Sequence, residues 1–125
     1  MDTKNHTLKE LAELMNVLSV ESRLRIIDLL REYESLCVNA IACHLEISQS
    51  AVSQHLKILH FSGFVSSRRD GYYTHYRLNR EKLDNSIELL THLTTRPKTI
   101  KLNKCTPKGD KPCADVKKNA RNRKI

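Results

Sequence analysis

Between residues 8 and 18, Leu8, Leu11, Ala12, Met15 and Leu18 recur at intervals of three and four, which places them on one side of a helix. Ser19 is then the expected N-cap of a second helix over about 20–33. Its inward side is either Leu24, Ile27, Leu30 and Tyr33 or Ile26, Leu29, Leu30 and Tyr33. A short third helix over about 36–45 carries Val38, Ile41, Ala42 and Leu45 on one face, and Glu46-Ile47-Ser48 is long enough only for a turn. Ser48 is the expected cap of a fourth helix, about 49–61, with Val52, Leu56 and Leu59 facing the core. Gly63 suits the position just past that helix, where a positive φ is free of Cβ strain.

The period then changes from 3.6 to 2. Residues 64–69 and 72–78 flank Asp70-Gly71, a favoured two-residue hairpin turn. A last amphipathic helix over about 80–94 presents Leu83, Ile87, Leu90 and either Leu93 or Thr94, and Leu89 and Leu93 widen its apolar side. Beyond it Ile100, Leu102, Val116 and Ile125 are scattered without period, among Pro97, Pro107, Gly109 and Pro112. Such a segment buries too little apolar surface to offset its ordering entropy. The expected division is therefore a folded domain over 1–94 and a basic, disordered tail over 95–125.

Charge sharpens this division. The formal net charge of +8 is unevenly spread: residues 1–47 hold five basic and eight acidic side chains, and residues 48–80 five basic and one acidic. The tail alone holds eleven basic and two acidic. A near-neutral body with one basic face and a strongly basic end fits a polyanionic partner, nucleic acid first among them. No apolar run approaches the ~18 residues of a membrane span, and the start of the chain lacks a secretory signal, so a cytoplasmic protein with no membrane partner is expected.

A short turn between the third and fourth helices, followed by a hairpin and a helix, is the order of a winged helix-turn-helix: mainly α, with a small β-hairpin, α-α-α-α-β-β-α. Leu18-Ser19-Val20-Glu21-Ser22-Arg23-Leu24-Arg25-Ile26-Ile27 and Ile47-Ser48-Gln49-Ser50-Ala51-Val52-Ser53-Gln54-His55-Leu56-Lys57-Ile58-Leu59, then Gly63-Phe64-Val65 and Tyr76-Arg77-Leu78, resemble the ArsR/SmtB family of bacterial transcriptional repressors. The resemblance spans roughly residues 8–94 and implies a homodimer in which the first and last helices pair across a two-fold axis. It also exposes a departure. Glu46 stands where many relatives have Gly, so either the turn avoids positive φ or this junction is less stable than usual.

The residues support the same function directly. Opposite its apolar side, the fourth helix shows Gln49, Ser50, Ser53, Gln54 and Lys57, with His55 at the margin and Ser48 at the cap. Amides and hydroxyls read base edges in a major groove, while Ser, Lys and the helix N-terminus hold phosphates. Arg68 and Arg69 sit where a wing would reach the backbone or minor groove. In a dimer the two recognition helices lie about 34 Å apart and demand a pseudo-palindromic double-stranded operator. Of the tyrosines Tyr72, Tyr73 and Tyr76, half are expected to pack on the core, as in any alternating strand, a reading preferred to stacking on single-stranded bases.

Four cysteines in a chain without a leader point to reduced thiols rather than structural disulfides. The resemblance implies a metalloid-binding Cys-Val-Cys on the third helix, but here the matching residues are Cys37-Val38-Asn39, one thiolate short. Cys37 and Cys43 fall on different faces of a helix and are read as packing residues; Cys37 and His44 lie ~10 Å apart along its axis, too far for one ion. His92 alone on the last helix gives no zinc set of the kind the resemblance implies there. Cys105 and Cys113, among Lys104, Lys108 and Lys111, are candidates to oxidise together or to join Cys37 as a three-thiolate site for As(III) or another thiophilic ion.

The expectation is thus a dimeric DNA-binding repressor released by a thiophilic metalloid or an oxidant. Two rivals stand beside it: a winged-helix regulator without a cysteine sensor, and an RNA-associated protein using the same basic face. No phosphate loop, nucleophile elbow or metal-spaced cluster points to an enzyme.

Overall fold

The computed structural model describes residues 3–95. Its elements run α1 (Thr3–Leu18), α2 (Glu21–Glu32), β1 (Leu36–Cys37), α3 (Val38–Leu45), α4 (Gln49–Phe61), β2 (Val65–Asp70), β3 (Tyr73–Leu78) and α5 (Arg80–Thr91). The architecture is the winged helix-turn-helix expected from the pattern, with one added strand: β1 pairs antiparallel with β3, giving a three-stranded sheet in the order β1-β3-β2. The expected third helix therefore starts two residues late, because Leu36 and Cys37 are drawn out as an edge strand opposite Tyr76 and His75. The tail from residue 96 on lies outside the described residues.

The core gathers one face from each of α1 to α4 onto Phe64 and Val65. Phe64, Ile26, Ile41, Leu56, Leu59 and Val52 are fully buried, each contributing ~1.5–3 kcal/mol of transfer free energy relative to an exposed side chain. Helix α2 mixes the two expected stripes. Ile26, Ile27 and Leu30 are buried, whereas Leu24 and Tyr33 are exposed. Helix α1 turns Leu11 and Leu14 into the core and leaves Leu8, Ala12 and Met15 largely in solvent. Its core side is thus rotated from the stripe read from the sequence, towards Leu14 and the partly buried Val17. Helix α5 lies against α1, turns Leu83 and Leu89 towards the core and ends three residues early, at Thr91.

The helix ends follow capping chemistry. The Ser48 hydroxyl accepts from the Ala51 N–H at 3.0 Å and starts α4 as expected. Ser19 does not cap α2; Val20 occupies that position, and the Ser19 hydroxyl donates back to the Asn16 carbonyl at 2.8 Å. After α4, Gly63 takes φ +89°, its N–H reaches His60 O, and Phe64 N–H reaches Leu59 O at 2.9 Å. These two bonds are a Schellman closure. The hairpin turn falls one residue later than expected: Asp70 pairs with Tyr73, so Gly71-Tyr72 is the loop, with positive φ at Gly71 only. That is the pattern of a II′ turn, which places Gly first. Asn79 fastens the wing base to the end of α4, donating to Gly63 O at 2.9 Å while its side chain accepts from Lys82 N–H and starts α5.

Between α3 and α4 the turn does use the left-handed region. Glu46 sits at φ 56°, ψ 44°, its N–H bonded to Ala42 O. Arginines from α2 brace both sides of this unit. Arg25 donates to Leu45 O at 3.3 Å, and Arg23 donates to Val17 O at 3.0 Å and, through Nε, to His55 Nδ1 at 3.3 Å. Burial, reinforced by the Arg23 charge, holds the His55 imidazole below its ordinary value of 6.5. The ring is therefore a neutral acceptor at physiological pH.

Two outcomes follow from these junctions. Glu46→Gly relieves the left-handed strain while losing only an exposed side chain, and should raise stability in urea by about 0.5–1 kcal/mol. For His55, the folded ring binds its proton at lower pH than the unfolded chain. Its contribution is therefore present above the ordinary value of 6.5 and is lost as pH falls from there through the lower folded value. His55→Asn keeps an acceptor near the Arg23 guanidinium but does not titrate, so the decline in urea midpoint from about pH 7.5 to about 5.5 should be shallower than in the parent.

Candidate nucleic-acid interface

Burial of Val52, Leu56 and Leu59 turns the other side of α4 outward. Gln49, Ser50, Ser53, Gln54 and Lys57 are exposed on that side, and His55 is half-buried at its edge against Arg23. Helix α4 contains no Asp or Glu, so nothing on this face repels an anion. Ser48, itself exposed, satisfies one N–H of the first turn and leaves others free for an acceptor from outside. The face thus offers amide donors and acceptors at the centre and hydroxyls and a cation around them, a composition suited to base edges and phosphates respectively.

The wing supplies the second element. Arg68 and Arg69 are exposed on β2 and, among the described residues, neither is ion-paired. As consecutive strand residues they point to opposite sides of the sheet. Arg68 lies opposite His75, and Arg69 opposite Thr74. The cationic side is tempered: Arg77 Nη2 stands 3.8 Å from a Glu34 carboxylate oxygen, and His75 Nδ1 4.0 Å from Asp70.

Cys37 occupies the row that runs across the sheet through His75 to Arg68. It is half-buried, sits on the edge strand and is also the residue preceding the first turn of α3. Cys43 is exposed, which corrects its reading as a packing residue. Cys105 and Cys113 lie outside the described residues. Among the described residues no three His, Cys, Asp or Glu side chains gather as they would around a metal ion. No described helix is long and apolar enough to cross a membrane.

Some residues that position this interface were not legible in the sequence. Arg23, Arg25 and Asn79 work through backbone carbonyls of distant elements, which no local pattern signals. Tyr72 and Tyr73 are exposed rather than packed, and of the three tyrosines only Tyr76 lies against the core.

Comparison with known proteins agrees with this geometry. The model of the bacterial regulatory protein, arsR family, matches residues 21–67, from the start of α2 into β2. The arsenical resistance operon repressor of Staphylococcus aureus is 39% identical over 87 residues, covering 70% of this chain and 83% of the relative. An ArsR-like transcriptional regulator from Rhodococcus sp. RHA1 superposes with a TM-score of 0.63 at 28% identity, over 71% of this chain and 83% of its own. A homodimeric winged helix-turn-helix DNA-binding domain from Mycobacterium bovis, described as a possible ArsR-family transcriptional regulator, superposes with a TM-score of 0.60 at 29% identity, over 75% of this chain and 86% of its own. The exposed polar face, the wing and these likenesses converge: the chain belongs to the ArsR family of bacterial regulatory proteins, whose members are regulators of transcription and not enzymes.

Proposed function

We propose that this protein is a cytoplasmic, homodimeric repressor that binds a pseudo-palindromic operator in double-stranded DNA and is released by chemistry at cysteine. The observation that carries the DNA reading is the outward face of α4, on which Gln49, Ser50, Ser53, Gln54 and Lys57 stand together with no acidic neighbour on the helix. Gln49 and Gln54 hydrogen-bond base edges; Ser48, Ser50, Ser53 and Lys57 hold the flanking phosphates; Arg68 and Arg69 reach the neighbouring backbone or minor groove.

Dimerisation draws support from the apolar side chains left over by the core. On α1, Leu8 and Met15 are exposed, and on α5 and just past it, so are Ile87, Leu90 and Leu93. A second copy covering these helices would remove that apolar surface from water, and the M. bovis neighbour is described as homodimeric.

For the signal, Cys37 is the described thiol placed to act. An adduct or a bound thiophilic ion such as As(III) at its sulfur disturbs both the edge strand beside His75 and the start of α3, and so reaches the wing and the helix-turn-helix together. Cys105 and Cys113 are the companion thiols of this reading. With one cysteine in Cys37-Val38-Asn39, α3 alone offers too few thiolates for a soft ion.

Fluorescence anisotropy with the duplex upstream of the protein's own gene tests the reading. The complex should contain two chains per site. Gln54→Ala should weaken binding by ~1–3 kcal/mol on that duplex and far less on random DNA. Arg68→Ala/Arg69→Ala should lower the salt slope of log K by ~0.9 for each phosphate that an arginine no longer neutralises. Equal affinity for structured RNA or for random duplex overturns the assignment. As(III) or peroxide should release the parent protein and spare Cys37→Ser; release of the serine variant by the same agents would establish a regulator without this sensor.

A further inference from the structure

The wing tip carries two aromatic rings that the core does not use. Tyr72, in the turn, is 95% exposed and Tyr73, at the start of β3, is 58% exposed. Amphipathic rings held in water at a rigid hairpin end are a feature of contact surfaces. These two help line an open cleft of about 320 Å³ whose opposite wall is made by Asn39, in the first turn of α3, and Gln49, in the first turn of α4. Thr74 and Tyr76 complete the wing side. No Lys, Arg, Asp or Glu lines it: every polar group in the cleft is a neutral phenol, amide or hydroxyl.

The walls of this cleft belong to the two elements that the DNA reading brings to the duplex. A recognition helix in the major groove and a wing over the adjacent groove are separated by one sugar–phosphate strand, and that strand has to run between them. We propose that the cleft is where it runs. The Tyr72 and Tyr73 hydroxyls and the Asn39 amide donate to its phosphate oxygens, and so fix how deeply α4 sits in the groove. The inference rests on the DNA reading above and adds positioning residues to it. Neutral donors give it a distinctive signature. Lysine and arginine displace condensed counterions and so steepen the dependence of affinity on salt, whereas a phenol or amide strengthens binding without that release.

The same upstream duplex, titrated with the full-length protein at several salt concentrations, tests this. Tyr72→Phe/Tyr73→Phe keeps both rings and the turn and removes only the hydroxyls. We expect the double variant to bind about tenfold more weakly, the order expected for hydrogen bonds to charged acceptors in competition with water. Its salt slope should be unchanged, while Arg69→Ala in the same series lowers the slope by ~0.9. Asn39→Ala should weaken binding in the same salt-independent way. If the phenylalanine variant binds as tightly as the parent, the cleft does not hold a phosphate strand. Loss confined to Tyr72→Ala/Tyr73→Ala also overturns the proposal, because it assigns the rings to base stacking or to a protein partner. If the parent shows no preference for the duplex, the DNA reading itself falls and takes this inference with it; a parent that binds beside an unaffected double variant removes the cleft alone.

Discussion

The rotation of α4 about its own axis is the constraint on which the interface depends. Each residue of a helix advances 100°, so a rotational slip of one position would carry Gln49, Ser53 and Gln54 off the outward face and bring apolar side chains in their place. Val52, Leu56 and Leu59 prevent it, because all three are buried against α2, α3 and the start of the wing. At its N-terminal end α4 is stopped by the Ser48 cap, and at its C-terminal end by the Schellman closure at Gly63. Arg23 adds a lateral fastening through His55 at the edge of the outward face. Recognition chemistry at the surface is thus set by packing beneath it.

The wing is coupled to that helix at its base, through one buried ring and one asparagine. Phe64 is buried as the chain leaves α4, and Asn79, leaving β3, hydrogen-bonds Gly63 O and Phe64 O on the way in to α5. One asparagine therefore closes the hairpin at its base while starting the next helix. The base of the hairpin is thereby held against the end of α4, while the strands beyond it are mostly exposed.

How much of this could be read from residues alone depended on whether the cause was local. Helix α4, its cap, its inward trio and its polar face were legible because a 3.6 period and a serine followed by an apolar run are local signals. The left-handed turn at Glu46 remained open, since strain at a non-glycine residue is settled only by what the two flanking helices require. Strand β1 was hidden, because two residues carry no period and Leu36 and Cys37 become a strand only by pairing with β3. The hairpin turn shifted by one because Asp-Gly and Gly-Tyr both suit a two-residue loop, and the register was decided by the ladder from Val65–Leu78 to Asp70–Tyr73. Helix α1 misled for a different reason. It has apolar side chains for two purposes, and the stripe joined Leu11 of the core side to the surplus Leu8 and Met15 while passing over Leu14.

That surplus bears on how a signal at Cys37 is transmitted. A single winged helix has its wing and its α4 rigidly joined, so an event at the sulfur has little to gain by separating them. On the proposed reading, what it alters is the placement of one such unit relative to its twin, since two half-sites are engaged only when two recognition helices stand one turn of DNA apart. Cys37 lies on an edge strand of two residues, the least cooperative part of the sheet, and directly precedes α3. A small displacement there is cheap locally, because so short a strand has little pairing to break. It is amplified at the DNA, because a misplaced α3–α4 unit loses a whole half-site rather than one hydrogen bond. On the proposed reading, the chain therefore keeps its sensor at the weakest seam of a domain whose DNA-facing parts are otherwise clamped. On that reading, the missing second thiolate of the third-helix motif bears on which ligand the seam would take and not on the route from the seam to the duplex.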